Sequence, residues 1–173
     1  MNADAAAAVR KWVADHLKTY VDSDGAEGHL VDYSVMGAGY ANTPTLLLKT
    51  IGRRTHKESI APLIYGRWKS DFVIVASKGG AAENPGWYYN LVAQPQVQFQ
   101  AAREKFKAIA HEAQEPERSL IWDYMLALFP TYDDYQRATP RKIPIVLLTP
   151  TQRIETAWTT QGCGEPRSEA VAK

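Results

Sequence analysis

Between Thr45 and His111 the chain places short apolar or β-branched runs too close together for helices to alternate with them. Thr45 to Ile51, Ser59 to Tyr65 and Phe72 to Ser77 follow one another with only turn-compatible residues between. After an insertion from Gly79 to Gln94, Val97 to Gln100 and Lys105 to His111 form a hairpin about a polar turn at Ala102 to Glu104. Ile143 to Leu148 adds a sixth run, with Pro144 near its start, where a missing ladder donor is tolerable. Strands joined by hairpins favour an antiparallel barrel over a doubly wound sheet. The expected fold is therefore mainly β, an antiparallel barrel of about six strands with added helices.

Helical spacing appears in four places. From Ala5 to Tyr20, the positions Val9, Trp12, Val13, Leu17 and Tyr20 make an amphipathic first helix, with Asp4 as its expected cap. Pro85 suits the first position of a short helix capped by Asn84 and carrying Trp87, Tyr88 and Tyr89. Glu115-Pro116-Glu117 opens a helix striped by Leu120, Ile121, Tyr124, Met125 and Leu128, which Phe129-Pro130 ends. Tyr132 and Tyr135, three apart, fit one face of a further short helix. Asp22 to Thr43 reads as connector. The chain divides into an N-terminal helix and connector (1–44), a barrel (45–150) and a polar tail (151–173).

Charge and cysteine content narrow the function. The sum of Lys and Arg, 20, nearly matches the 19 of Asp and Glu, so no global field exists to hold nucleic acid or an anionic membrane. Cys163 is the only cysteine, so neither an intrachain disulfide nor a thiolate cluster can form. His16, His29, His56 and His111 are dispersed, and no metal site is expected. With neither a secretory leader nor a spanning segment, the reading is cytoplasmic. The first helix could serve the core, a dimer or a membrane surface, which leaves monomer and homodimer both open.

Two segments have the chemistry of an anion site. Gly52-Arg53-Arg54-Thr55-His56-Lys57 gathers three permanent cations, a hydroxyl and backbone donors in one turn. Arg brings a planar fork and Lys a point charge, both suited to phosphate, although a solvated hairpin would look the same. Ser77-Lys78-Gly79-Gly80 follows an apolar strand, and its glycines permit positive φ and close approach of a ligand. It lacks the spacing of the nucleotide-hydrolase phosphate loop. For Trp87, Tyr88 and Tyr89, packing competes with ligand contact.

Taken in order, Leu46 to Thr55, Ala76-Ser77-Lys78-Gly79-Gly80, Pro85-Gly86-Trp87-Tyr88-Tyr89-Asn90-Leu91, Tyr132-Asp133-Asp134-Tyr135-Gln136 and Arg141 to Val146 resemble the deazaflavin-dependent nitroreductase family of F420 oxidoreductases. The resemblance implies a split β-barrel with coenzyme F420 in a groove. It also implies a hydride transfer to an electron-poor acceptor, whether activated alkene, quinone or nitro compound. On the same footing, Arg53, Arg54, Thr55 and Lys57 would meet the phosphate and acidic tail. Pro62, Ala76, Ser77, Lys78, Gly79 and Gly80 would line phosphate and ring, and Trp87 and Asn90 would complete the wall. Tyr132, Tyr135 and Ser77 would stand on the reacting side. Two positions depart from the family pattern: His56 replaces a usual glycine, and Phe129 a frequent tyrosine. The alternatives are an FMN-dependent reductase or oxidase on the same barrel and a non-catalytic F420 carrier.

Overall fold

The computed structural model describes residues 3–36 and 40–159. In chain order it contains helix α1 (Ala3–Asp22), strand β1 (Leu30–Val31), a 3-10 turn (Tyr33–Met36), strands β2 (Thr43–Ile51), β3 (Glu58–Trp68) and β4 (Asp71–Val75), a second 3-10 turn (Lys78–Gly80) and helix α2 (Gly86–Ala93). Strands β5 (Gln96–Ala101) and β6 (Glu104–Glu112), helices α3 (Glu117–Leu128) and α4 (Thr131–Arg137), and strand β7 (Ile145–Ile154) complete it.

All strand pairings are antiparallel, in the order β2-β3-β4-β7-β6-β5, and β5 pairs back onto β2 through Leu46↔Ala101 to Lys49↔Gln98. These six strands thus close into a barrel with no free edge between β2 and β5. The mainly β barrel with flanking helices expected from the sequence is the observed architecture.

Alternation along the strands sorts the core. Leu46 and Leu48 of β2, Phe72 and Ile74 of β4, Phe99 of β5 and Val146 and Leu148 of β7 fill the lumen, while their neighbours point outward. Outside the barrel, Val73, Val75, Ile145 and Leu147 pack against Ile121, Met125 and Phe129. On another face Leu17, Tyr20 and Val21 of α1 pack with Leu47, Ile60 and Trp158. Full burial of such side chains contributes about 1.5–3 kcal/mol each. Gly66 lets α3 approach β3, because a Cβ there would lie 2.5 Å from the Tyr124 ring, whose hydroxyl accepts the Arg67 N–H at 2.9 Å.

Several boundaries differ from expectation. Asp4 lies inside α1, which starts at Ala3, rather than ahead of it. Pro85, not Asn84, precedes the first residue of α2, and its extended backbone leads into the helix without a side-chain cap. The run expected from Phe72 to Ser77 stops, as β4, at Val75, freeing Ala76 and Ser77 for the following turn. The connector contains β1, which pairs with Thr43 and Pro44 at the start of β2. The last strand runs on to Ile154, past the expected end of the barrel, because residues 149–154 continue to pair with β6 across a bulge. The tail beyond Thr159, with Cys163, lies outside the described residues.

Candidate active site

A groove of about 960 Å³ runs over the outer face of β3. Its floor is Ser59 to Ile64. These residues pair with Thr50 back to Thr45, so the floor extends about 16 Å at about 3.3 Å per residue.

At the Ser59 end lies the β2–β3 turn, which presents Arg53, Arg54, Thr55 and Lys57 to the groove. The turn is closed by Gly52 N–H to Lys57 O and by His56 N–H to Gly52 O, each 2.8 Å. His56 carries the left-handed conformation, φ 55°, and its side chain is exposed, outside the groove lining. Asn90 anchors the turn from α2: its Oδ1 accepts the Arg53 N–H at 3.1 Å and its Nδ2 donates to Thr50 Oγ1 at 3.2 Å. The Arg53 guanidinium sits 4.8 Å from the centre of the Tyr89 ring, a cation–π contact that fixes its direction. Trp87 is buried at the groove wall.

The second basic segment leaves β4 with Ser77 in the right-handed helical region (φ −71°, ψ −42°) and continues through Lys78, Gly79 and Gly80 at φ 48°, 61° and 78°. A right-handed residue followed by a left-handed one turns successive N–H groups to a common side, a concavity suited to an anion. Gly80 and Ala81 donate back to Ser77 and Lys78, whereas the N–H groups of Lys78 and Gly79 find no acceptor among the described residues. Ser77, Lys78 and Gly79 line the groove. Lys78 tolerates a conformation disfavoured for a side chain, a local cost usual where a site is held in readiness. Its ammonium lies 4.0 Å from Glu83, so the lining sets Arg53, Arg54, Lys57 and Lys78 against Glu58 and Glu83.

Toward the Ile64 end the lining turns aromatic: Tyr33, Phe129, Tyr132 and Tyr135. Ring centres are 5.8 Å apart for Tyr33 and Phe129, 5.0 Å for Phe129 and Tyr132, and 6.3 Å for Tyr132 and Tyr135. Burial raises the pKa of all three phenols, well above the usual tyrosine range for Tyr132 and to about 12 for Tyr135, where Tyr33 and Asp134 add to the effect. They stay protonated at neutral pH and present hydrogen-bond donors. Among the described residues no group of three His, Cys, Asp or Glu side chains is arranged to hold a metal ion.

Pro62, Arg53, Arg54, Thr55, Lys57, Ser77, Lys78, Gly79, Trp87, Asn90, Tyr132 and Tyr135 therefore share one groove. Ala76 and Gly80 do not line it. Ala76 is enclosed in the barrel lumen, and Gly80 faces α4, where a Cβ would lie 2.8 Å from the Tyr135 carbonyl. Sequence reasoning missed Tyr33, a groove-lining residue in the segment read as connector. No periodicity marks it, since it starts a short 3-10 turn.

A family model described as F420H(2)-dependent quinone reductase matches residues 12–150. The chain belongs to this family. Its members are oxidoreductases, and coenzyme F420 is their cofactor. An F420H(2)-dependent quinone reductase of Mycobacterium tuberculosis is 35% identical over 137 residues, 78% of this chain and 87% of the relative. A second protein of that organism, described as a putative F420H(2)-dependent quinone reductase, is 35% identical over 116 residues, 66% of this chain and 98% of the relative. Among solved structures, an F420-H2 dependent reductase superposes with a TM-score of 0.57 at 32% identity, covering 61% of this chain and 93% of the other. A chain described as a domain-swapped dimer gives 0.59 at 28% identity, covering 80% and 97%.

The groove suits this cofactor. It has length for an extended ligand, cations and free N–H donors for a phosphate, and aromatic walls for a ring system. The resemblance to F420 oxidoreductases and the quinone-reductase family agree on F420, the cofactor preferred from the sequence over FMN.

Proposed function

We propose that this chain reduces a quinone with electrons from reduced F420, holding cofactor and acceptor in the groove over β3. The observation that carries the reading is that both basic turns and the phenols of Tyr33, Tyr132 and Tyr135 line one continuous groove. Arg53, Arg54, Lys57 and the N–H groups of Lys78 and Gly79 would hold the cofactor's phosphate and acidic portion. Pro62 and Trp87 would bound its ring, with Asn90 acting through the turn it anchors. When bound, F420 supplies a hydride.

The protein's share is to orient the acceptor, exclude water and stabilise the negative charge that develops on the acceptor oxygen. Tyr132 and Tyr135, which line the groove, would donate hydrogen bonds there, and Ser77, whose side chain makes no capping bond to its own turn, would contribute a third hydroxyl. A quinone that accepts the hydride and one proton leaves as hydroquinone. With phenols this weakly acidic, we assign them hydrogen-bond donation and leave the net proton to solvent.

The test is to supply reduced F420 with a soluble quinone, an enone or a nitroaromatic and to follow its oxidation. Quinone-dependent turnover exceeding that with the other two supports the reading. Faster reduction of the enone or nitroaromatic reassigns the acceptor, and F420 binding without turnover on any of them makes the protein a carrier.

A further inference from the structure

Arg141, in the segment between α4 and β7, is the most heavily committed guanidinium among the described residues. Its Nε donates to Ala81 O at 2.8 Å, its Nη1 to Asn84 Oδ1 at 2.6 Å, and its Nη2 to Ala76 O at 3.1 Å and Ser77 O at 2.7 Å. No carboxylate among the described residues pairs with it. Three of its acceptors are backbone carbonyls on either side of the left-handed Lys78-Gly79-Gly80 turn. Its own backbone is fixed in turn: Gln136 Nε2 donates to Arg141 O at 2.8 Å, and Gln136 Oε1 accepts the Ile143 N–H at 3.0 Å.

A peptide unit that turns its carbonyl one way turns its N–H the other. The Ser77 carbonyl belongs to the same peptide as the Lys78 N–H, so drawing Ser77 O onto Arg141 directs the Lys78 N–H away from the guanidinium. The half-buried Lys78 and the buried Gly79 both line the groove. Lysine could not do the same, because one ammonium on a flexible stem lacks the planar fork that reaches four acceptors together. The interaction also lends the turn a fixed positive charge with no carboxylate to cancel it.

We propose that Arg141 is a positioning residue for the cofactor: it holds the Ser77–Asn84 segment from behind, so that the Lys78 and Gly79 N–H groups are aimed at the F420 phosphate before it arrives. The proposal rests on the cofactor assignment above. Arg141 does not line the groove and touches the ligand only through the turn. Its link through Gln136 to α4, which carries Tyr132 and Tyr135, joins the cofactor turn to the acceptor side in one rigid unit.

The test is Arg141→Lys, with Arg141→Gln beside it, compared by F420 titration and by steady-state kinetics at saturating cofactor. The expected result is F420 affinity weakened about thirtyfold, as for one or two lost charge-assisted hydrogen bonds, with kcat and the acceptor KM within about twofold of wild type. Ile121→Val, which loosens the outer core at a residue that does not line the groove, serves as a stability control and should leave F420 affinity unchanged. A folded Arg141→Lys that binds F420 as wild type does, or a loss no larger than that of Ile121→Val, overturns the proposal. Failure of both Arg141 variants to fold also overturns it, since Arg141 would then determine the fold rather than the turn. Wild-type protein that does not bind F420 sinks the cofactor assignment instead, which is a separate outcome.

Discussion

The carboxamide of Asn90 is bonded at both ends inside the protein, accepting the Arg53 N–H and donating to Thr50 Oγ1. Although it borders the groove, it has little left to offer a ligand; it ties α2 to the basic turn. Asn90→Ala should therefore loosen Arg53 and Arg54, weaken F420 binding about tenfold and destabilise the fold by about 1–3 kcal/mol. Titration and thermal melting check both parts, and intact affinity in a destabilised variant would show that the turn holds without its anchor.

Lys57 and Lys78 reach the groove from different turns, and neither belongs to the buried core. Replacing both with Ala should lower F420 affinity about tenfold or more while moving the melting temperature only a few degrees. The wild-type affinity should also fall as salt rises, and less steeply in the double variant. Equal salt slopes in the two proteins would remove these lysines from the anion site.

On the acceptor side, Tyr135→Phe should reduce kcat about tenfold and leave F420 affinity alone, because it removes a donor that matters only as charge develops. Burial moves the Tyr135 pKa up to about 12, so the phenol remains a donor across the neutral range and is lost only as pH rises toward that value. Accordingly, kcat should show no break near pH 7 to 9 that Tyr135→Phe abolishes. Tyr33→Phe tests the residue contributed by the connector in the same assay.

His56 holds φ 55° where a side chain is disfavoured. His56→Gly should be neutral or stabilising by up to about 1 kcal/mol, the relief of strain being offset by greater freedom in the unfolded chain. His56→Val should cost about 1–2 kcal/mol. Chemical denaturation of the variants provides the comparison, and a stable Val variant would mean that the turn takes another shape.

His16 is packed against Trp12 and shares a 2.7 Å hydrogen bond between its Nε2 and Gly28 O. Burial lowers its pKa from the usual 6.5, as it does for His29. A depressed folded-state pKa favours the neutral ring, so the unfolded chain binds protons first as pH falls. Stability from this source is present above about pH 6.5 and is lost progressively below it. The melting temperature should drop from pH 7 to pH 5, and His16→Gln should flatten part of that drop.

The barrel was legible because its strands are short, alternating and hairpin-linked, so periodicity, turn residues and spacing agree. Every expected run became a strand. The limits moved where tertiary pairing extended a run, as at residues 149–154, whose pattern contains Pro150 and no clean alternation. The basic turns were legible as chemistry, since Arg and Lys beside Gly and Ser retain their meaning in isolation. Their convergence was not, because it depends on how the barrel brings residues 53–57 beside residues 77–90. Ala76 and Gly80 show the remaining limit. A motif names neighbours in sequence, whereas each residue's facing depends on backbone rotation, which sends Ala76 to the lumen and Gly80 to α4.

Barrel closure also sets an order in time. Its joining seam runs between β2 and β5, while β7 is paired on one side with β4 and on the other with β6. A chain emerging residue by residue from the ribosome exposes the Ser77–Gly80 turn before α4, which packs on it, and Arg141, which bonds it, have been made. With the anion turn held as proposed, cofactor capture is a late event in the life of the molecule, and F420 would stabilise finished copies rather than template unfinished ones.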